Sequence, residues 1–359
     1  PENEDGGAPW LPAGALVGRY RILASVGSGA MGEVYRAEDT SLGRIVALKT
    51  LPLDLVGTPD RRVRFGNEGR VMASLSHPNL VQVFDVGEFE GTPYLVQEFV
   101  EGETLESVLL GGAVPAPRAA RWITQAAEAL AAVHDAGFLH RDIKPSNLMV
   151  DRQGRIRVLD FGLAKVQSVR TEEKKSQPSL TTDGFVVGTA QYMSPEQASG
   201  KKADARSDVF SLGAVFYELL AGRAPFEGET AVDVMYAILH LPAPPIPGFE
   251  TGILRGFAAV VERALAKDPD ERFPSMRDLA AEIAAVLEEG GWEDEAAPKR
   301  PSTGRLSTIP PPAPPLAKRP GVRLAVGIGV ALLALVAAGL FLRRGKEGEA
   351  PAAAPYRPV

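Results

Sequence analysis

The chain has 359 residues, 45% hydrophobic and 23% charged, a balance that supports a large folded core with polar segments outside it. A net charge of −6 argues against a general nucleic-acid-binding surface. The absence of cysteine excludes disulfides and thiolate metal sites, and four histidines make a poor case for structural zinc.

Residues 1–16 are acidic and rich in Pro and Gly and read as a disordered tail, with order expected from 17 to 289. Tyr20–Leu23 alternates as a strand and runs into Gly27-Ser28-Gly29-Ala30-Met31-Gly32-Glu33-Val34. Its three glycines let a backbone turn approach a triphosphate where a side chain would clash. The same spacing suits a dinucleotide turn, but Val34 and a second strand follow here instead of a helix, which favours a phosphate flap. Val46–Lys49 is a buried strand ending in a lysine, and Tyr94–Val100 is an apolar strand. Pro117–Ala136 is a helix stopped by Gly137.

His140-Arg141-Asp142-Ile143-Lys144-Pro145-Ser146-Asn147 follows, and Asp160-Phe161-Gly162 comes after the strand-like run Ile156–Leu159. Phosphoryl transfer needs an acceptor hydroxyl aimed at phosphorus, metal ions on the phosphate oxygens, and cations where charge accumulates. The Asp142 carboxylate can take the hydroxyl proton. The Asn147 amide and the Asp160 carboxylate are hard oxygen ligands suited to magnesium. Asp204–Ala221 reads as a buried helix and Met276–Glu289 as a closing amphipathic one.

In this order and spacing the two motifs resemble the catalytic and metal-binding loops of bacterial eukaryotic-type Ser/Thr protein kinases. The resemblance covers residues 17–289. It implies an α+β fold of two lobes, a small β-sheet lobe with one helix over 17–100 and a large helical lobe over 101–289. It also implies an enzyme that uses ATP with Mg²⁺, or Mn²⁺, on protein substrates. By this resemblance Lys49 holds the α- and β-phosphates and is oriented by Glu68. Gly27, Ser28, Gly29 and Gly32 cover the phosphates. Val34, Ala47 and Met149 sandwich the adenine, Gln97 lies behind it, and the backbone of Glu98 and Val100 bonds its edge. Lys144 touches the γ-phosphate, and Thr189 bridges Asp142 and Lys144, both features of the Ser/Thr class. Arg141 answers a phosphate in the activation segment, for which Thr181 and Thr182 are the favoured sites. Asp208 holds the catalytic-loop backbone, and Glu196 pairs with Arg272. Ser194 stands where the family has alanine.

The helix bearing Glu68 carries Gly66 and Gly69, each costing about 0.8–1 kcal/mol against alanine in a helix interior. That predicts a marginal helix, and raised basal activity on Gly69→Ala.

After Gly290 the composition shifts to a Pro-rich juxtamembrane linker, 290–323. Leu324–Leu342 is nineteen residues without a charge, enough at about 1.5 Å per residue to span the roughly 30 Å of a bilayer core. A single-pass cell-membrane protein is expected. The kinase lies on the cytoplasmic side where ATP is, and 343–359 forms a short extracytoplasmic tail. Ala325 and Gly329 form a small-x-x-x-small pair that would favour a homodimer. Two other readings share parts of this pattern. A kinase-shaped binding module would bind nucleotide without turnover. A small-molecule phosphotransferase would lack the Gly188–Glu196 docking loop and the Glu196–Arg272 pair, both present here.

Overall fold

A computed structural model describes residues 10–29, 32–51, 69, 72–159 and 190–292. The first six strands, β1 (Leu16–Val17), β2 (Tyr20–Gly29), β3 (Gly32–Asp39), β4 (Arg44–Thr50), β5 (Val83–Phe89) and β6 (Thr92–Glu98), form one antiparallel sheet in the order β1-β2-β3-β4-β6-β5. Along β3 the buried Tyr35, Ala37 and Asp39 alternate with the more exposed Val34, Arg36 and Glu38, the period-two pattern of a strand covered on one face. On that face Val17, Tyr20, Ile22, Tyr35, Ala37, Val46, Leu48 and Val96 form a core cluster.

The tail expected to be disordered joins this cluster from residue 10 onward. Leu11 is 5% exposed and belongs to it, and the Trp10 ring meets Phe89 edge-on at 6.1 Å. Gly14 N–H donates to the Ile22 carbonyl at 2.8 Å, and Ile22 N–H donates to Ala15 at 2.9 Å. Two apolar side chains and these strand-like bonds hold a segment whose overall composition gave no sign of order. At the other end Trp292 stacks on Phe257 at 5.5 Å, so packing extends past the expected limit at 289.

Strands β7 (Gly102–Thr104), β8 (Leu148–Asp151) and β9 (Ile156–Val158) form a second, three-stranded sheet. Helices α1 (Leu105–Leu109), α2 (Ala116–Asp135), α3 (Pro195–Ala198), α4 (Ala205–Ala221), α5 (Ala231–His240), α6 (Leu254–Ala264) and α7 (Met276–Gly290) build the second lobe. From Ser207 to Tyr217 every residue of α4 is buried, as expected of a helix apolar on all sides at the centre of a lobe. Asp204 caps its start by accepting from Arg206 N–H, and Gly222, at φ +71°, ends it. Gly213 lets α6 approach closely, since a Cβ there would lie 2.7 Å from that of Ala264.

Gly69 has a comparable role. It is helical and buried, and a Cβ on it would lie 2.5 Å from Val86 Cγ2. The glycine allows close approach to β5, a packing role that helix propensity alone does not reveal. Gly69→Ala should lower stability by roughly 1–3 kcal/mol through overpacking and should not raise basal activity. Chemical denaturation alongside an activity assay checks this, and unchanged stability with higher basal activity would restore the propensity argument.

Among the described residues no helix is long and apolar enough to cross a membrane. The run 324–342, the linker beyond Trp292 and the tail 343–359 lie outside the described residues.

Candidate active site

The loop between α2 and β8 carries the chemistry, and its shape is set from below by α4. Asp208, in the first turn of α4, is 1% exposed. It accepts the backbone N–H of His140 at 2.8 Å and of Arg141 at 2.9 Å, and it lies 2.8 Å from His134 Nε2. Burial opposes its charge, but the His134 hydrogen bond, the nearby imidazoles and the Arg141 N–H outweigh this and hold its pKa below the usual carboxylate value. Arg141 sits at φ +61°, a conformation that costs a non-glycine residue about 1–3 kcal/mol and persists only where its surroundings enforce it. They do so here from both sides. Asp208 fixes the Arg141 N–H, and Gln197 Nε2 donates to the Arg141 carbonyl at 3.1 Å.

That backbone presents Asp142, 7% exposed. Lys144 Nζ lies 3.2 Å from Asp142 Oδ2. Asn147 Nδ2 donates to the Asp142 carbonyl at 2.7 Å and to Asp142 Oδ2 at 3.1 Å. With both amide hydrogens spent inside the loop, the chemistry left to Asn147 is that of its carbonyl oxygen, a hard donor suited to magnesium. The Asn147 backbone carbonyl accepts from Leu159 N–H at 2.9 Å. This ties the loop to the residue just before Asp160. His140 Nε2 lies 3.0 Å from the Leu159 carbonyl and reinforces the link.

Across the sheet, Lys49 is 8% exposed near the end of β4 and pairs in register with Leu95 and Val34. Ala47 lies opposite Gln97, and both are buried. Glu98 N–H donates to the Gln82 carbonyl at 2.9 Å, and its carboxylate pairs with Arg157 of β9. Val34, Val100 and Met149 are partly buried. Gly27 pairs with Val34, Ser28 with Glu33 and Gly29 with Gly32. Gly32 adopts φ +104°, which glycine reaches without the strain a side chain would bring. Glu68, Asp160, Thr181, Thr182 and Thr189 lie outside the described residues.

A small recess beside the loop is lined by Asp142, Lys144, Tyr192, Met193 and Gln197 among others. Glu196, next to Gln197 in α3, has its carboxylate bound by Arg272 at 2.8 and 2.9 Å and by Ser207 Oγ at 2.5 Å. Ser194, the departure from the family pattern, caps α3. Its Oγ accepts from Gln197 N–H at 3.4 Å, and Gln197 Oε1 accepts from Ser194 N–H at 3.0 Å. Sequence reasoning passed over Gln197, His134 and Ser207. The spacing of Ser194 and Gln197 is that of a capping box and was available as a signal for the first. Nothing local marked the other two.

The sheet lobe, the helical lobe and the grouped carboxylate, amide and ammonium define the class, a two-lobed protein-kinase fold. Residues 20–282 match the protein kinase domain family, so the chain belongs to that family. It is 40% identical over 278 residues to the serine/threonine-protein kinase PknB of Mycobacterium tuberculosis, covering 76% of this chain and 43% of the relative. It is 42% identical over 278 residues to the serine/threonine-protein kinase pkn2 of Myxococcus xanthus, covering 76% and 33%. The crystal structure of the Mycobacterium tuberculosis PknI kinase domain matches with a TM-score of 0.60 at 29% identity, over 77% of this chain and 99% of that one. The chain spans less than half the length of these curated relatives.

Proposed function

We propose that the chain is an ATP-dependent Ser/Thr protein kinase. The observation that carries this is the Asp142–Lys144–Asn147 group, held on a strained backbone by Asp208. The Asp142 carboxylate accepts the proton of a Ser or Thr hydroxyl as its oxygen bonds the γ-phosphorus. The bond from that phosphorus to the bridging oxygen breaks, and ADP leaves. Lys144, paired with Asp142, offsets charge on the transferring group, and Lys49 is placed in β4 for the α- and β-phosphates. Asn147 and Asp160 would hold magnesium, which neutralises charge on the phosphate oxygens when bound. Val34, Ala47, Gln97 and Met149, with the backbone of Glu98 and Val100, are proposed to enclose the adenine.

The finer reading places the enzyme on a membrane through 324–342 and regulates it by autophosphorylation at Thr181 or Thr182. Nineteen residues without a charge support the first, and the position of Arg141 beside Asp142 supports the second.

Incubation of the full chain with Mg-ATP, followed by phosphosite mapping, tests the proposal. The expected result is phosphoserine and phosphothreonine, with sites between 163 and 195. Nucleotide binding without incorporation into the chain or any added protein would overturn it in favour of a binding module. Resistance of the full chain to alkaline extraction from membranes tests the anchor, and quantitative release would refute it.

A further inference from the structure

We propose that residues 10–15 are a strap that positions the phosphate hairpin through Glu33, a role that rests on the ATP-dependent reading above. The hairpin of β2 and β3 closes at Gly29 and Gly32, and Glu33 is the next residue on the returning strand. Its carboxylate is where the strap ends. Trp10 N–H donates to Glu33 Oε2 at 3.2 Å. Leu11 N–H donates to Tyr35 Oη at 3.1 Å, and that hydroxyl in turn donates to Glu33 Oε2. The Glu33 backbone is held on its other side by the side chain following Lys49. Its N–H donates to Thr50 Oγ1 at 3.2 Å, and Thr50 Oγ1 donates to the Glu33 carbonyl at 3.3 Å.

Leu11 in the core cluster, Trp10 on Phe89 and the main-chain bonds of Gly14 and Ala15 with Ile22 anchor the strap. The polar relay adds a direction. The first two N–H groups of the strap, those of Trp10 and Leu11, both lead to one carboxylate, and that carboxylate is one residue from the last glycine of the flap. A carboxylate accepting two hydrogen bonds loses rotational freedom, and Thr50 fixes its main chain beside the lysine expected to meet the same phosphates. With the strap seated, the hairpin is held at one height above the sheet. With it gone, Glu33 keeps its backbone bonds and the Tyr35 hydroxyl but loses the Trp10 N–H, Tyr35 loses the Leu11 N–H that orients it, and the hairpin samples a wider range. Glu33 and Tyr35 are therefore positioning residues for ATP.

The test compares Leu11→Asp, which unseats the strap, Glu33→Ala, which cuts the relay, their double variant, and Leu11→Met as the conservative control. Two readouts are taken. One is hydrogen exchange of the β2–β3 amides in nucleotide-free protein, and the other is KM for ATP against kcat and against KM for the phosphate acceptor. Leu11→Asp and Glu33→Ala should each speed hairpin exchange and raise KM for ATP roughly 3- to 10-fold, with kcat and the acceptor KM within about twofold. The double variant should be no worse than the more severe single, because both cut one path. Leu11→Met should behave as the wild type. Unchanged hairpin exchange, multiplicative effects in the double variant, or equal rises in both KM values would overturn the proposal. If the wild type neither bound nor turned over ATP, the kinase reading would fail by itself, and the exchange data would still decide the strap.

Discussion

Asp142→Asn should cut phosphoryl transfer by roughly 10²–10⁴-fold, the usual worth of a positioned general base, while ATP affinity stays near that of the wild type. The substitution is close to isosteric. Asn147 can keep its 2.7 Å bond to the residue-142 carbonyl, because that acceptor is main chain. Arg141 stays pinned at positive φ, because Asp208 and Gln197 hold it through its own backbone. What disappears is the carboxylate charge next to Lys144 Nζ at 3.2 Å and the lone pair that takes the hydroxyl proton. A single-turnover assay with labelled ATP measures the first effect, and nucleotide binding by titration measures the second. Transfer within tenfold of the wild type would show that residue 142 is not the base. Lost ATP binding would show instead that the substitution had disturbed the fold.

The residues around Asp142 were legible because phosphoryl transfer demands few side chains and the chain supplies them in two short contiguous runs. Asn147 and Lys144 lie within five residues of Asp142, so the motif carries their geometry with it. Asp208 and Arg272 are distant in sequence, yet each sits in a short phrase of its own, and the structure places them 2.8–2.9 Å from their partners. Other features depended on how elements meet, and local sequence does not encode that. Gly69 reads as a helix weakener until Val86 is seen against it. Trp10 and Leu11 stand among Pro, Gly and acidic residues, and their anchoring needs a sheet surface formed by strands from β1 to β6. His134 is one of many polar positions on α2, and only the approach of α4 gives it a carboxylate.

Arg272→Met should destabilise the helical lobe by about 3–5 kcal/mol at neutral pH, the cost of leaving one partner of a buried ion pair alone. The Arg272 side chain is fully buried, and all five of its donor positions are used. Nε donates to the Ala266 carbonyl at 2.8 Å. Nη1 donates to Glu196 at 2.8 Å and to the Arg206 carbonyl at 2.9 Å, and Nη2 donates to Glu196 at 2.9 Å and to the Lys267 carbonyl at 3.1 Å. Burial pushes the Glu196 carboxyl up, but hydrogen bonds from Arg272 and Ser207 and the guanidinium charge pull it further down, to about 2 from 4.5. A carboxylate depressed in this way contributes stability above its ordinary pKa, and that contribution is lost as pH falls from about 4.5 toward 2. Without Arg272 burial dominates, the group takes up a proton on folding, and acidification relieves the variant while it weakens the wild type. The gap in urea-denaturation free energy should therefore be largest near neutrality and narrow as pH falls. It narrows first as the variant's Glu196 takes up its proton above about 4.5, and then as the wild type loses stability below that value. Adding Glu196→Leu should recover part of the loss. Recovery stays incomplete because three carbonyls still lack their donor. Because Gln197, next to Glu196 on α3, holds the Arg141 carbonyl, the single variant should also lose activity before it unfolds. A pH-independent gap, or no added stability in the double variant, would show that the cost lies in lost packing against Phe210, 5.0 Å from the guanidinium, and not in the stranded charge.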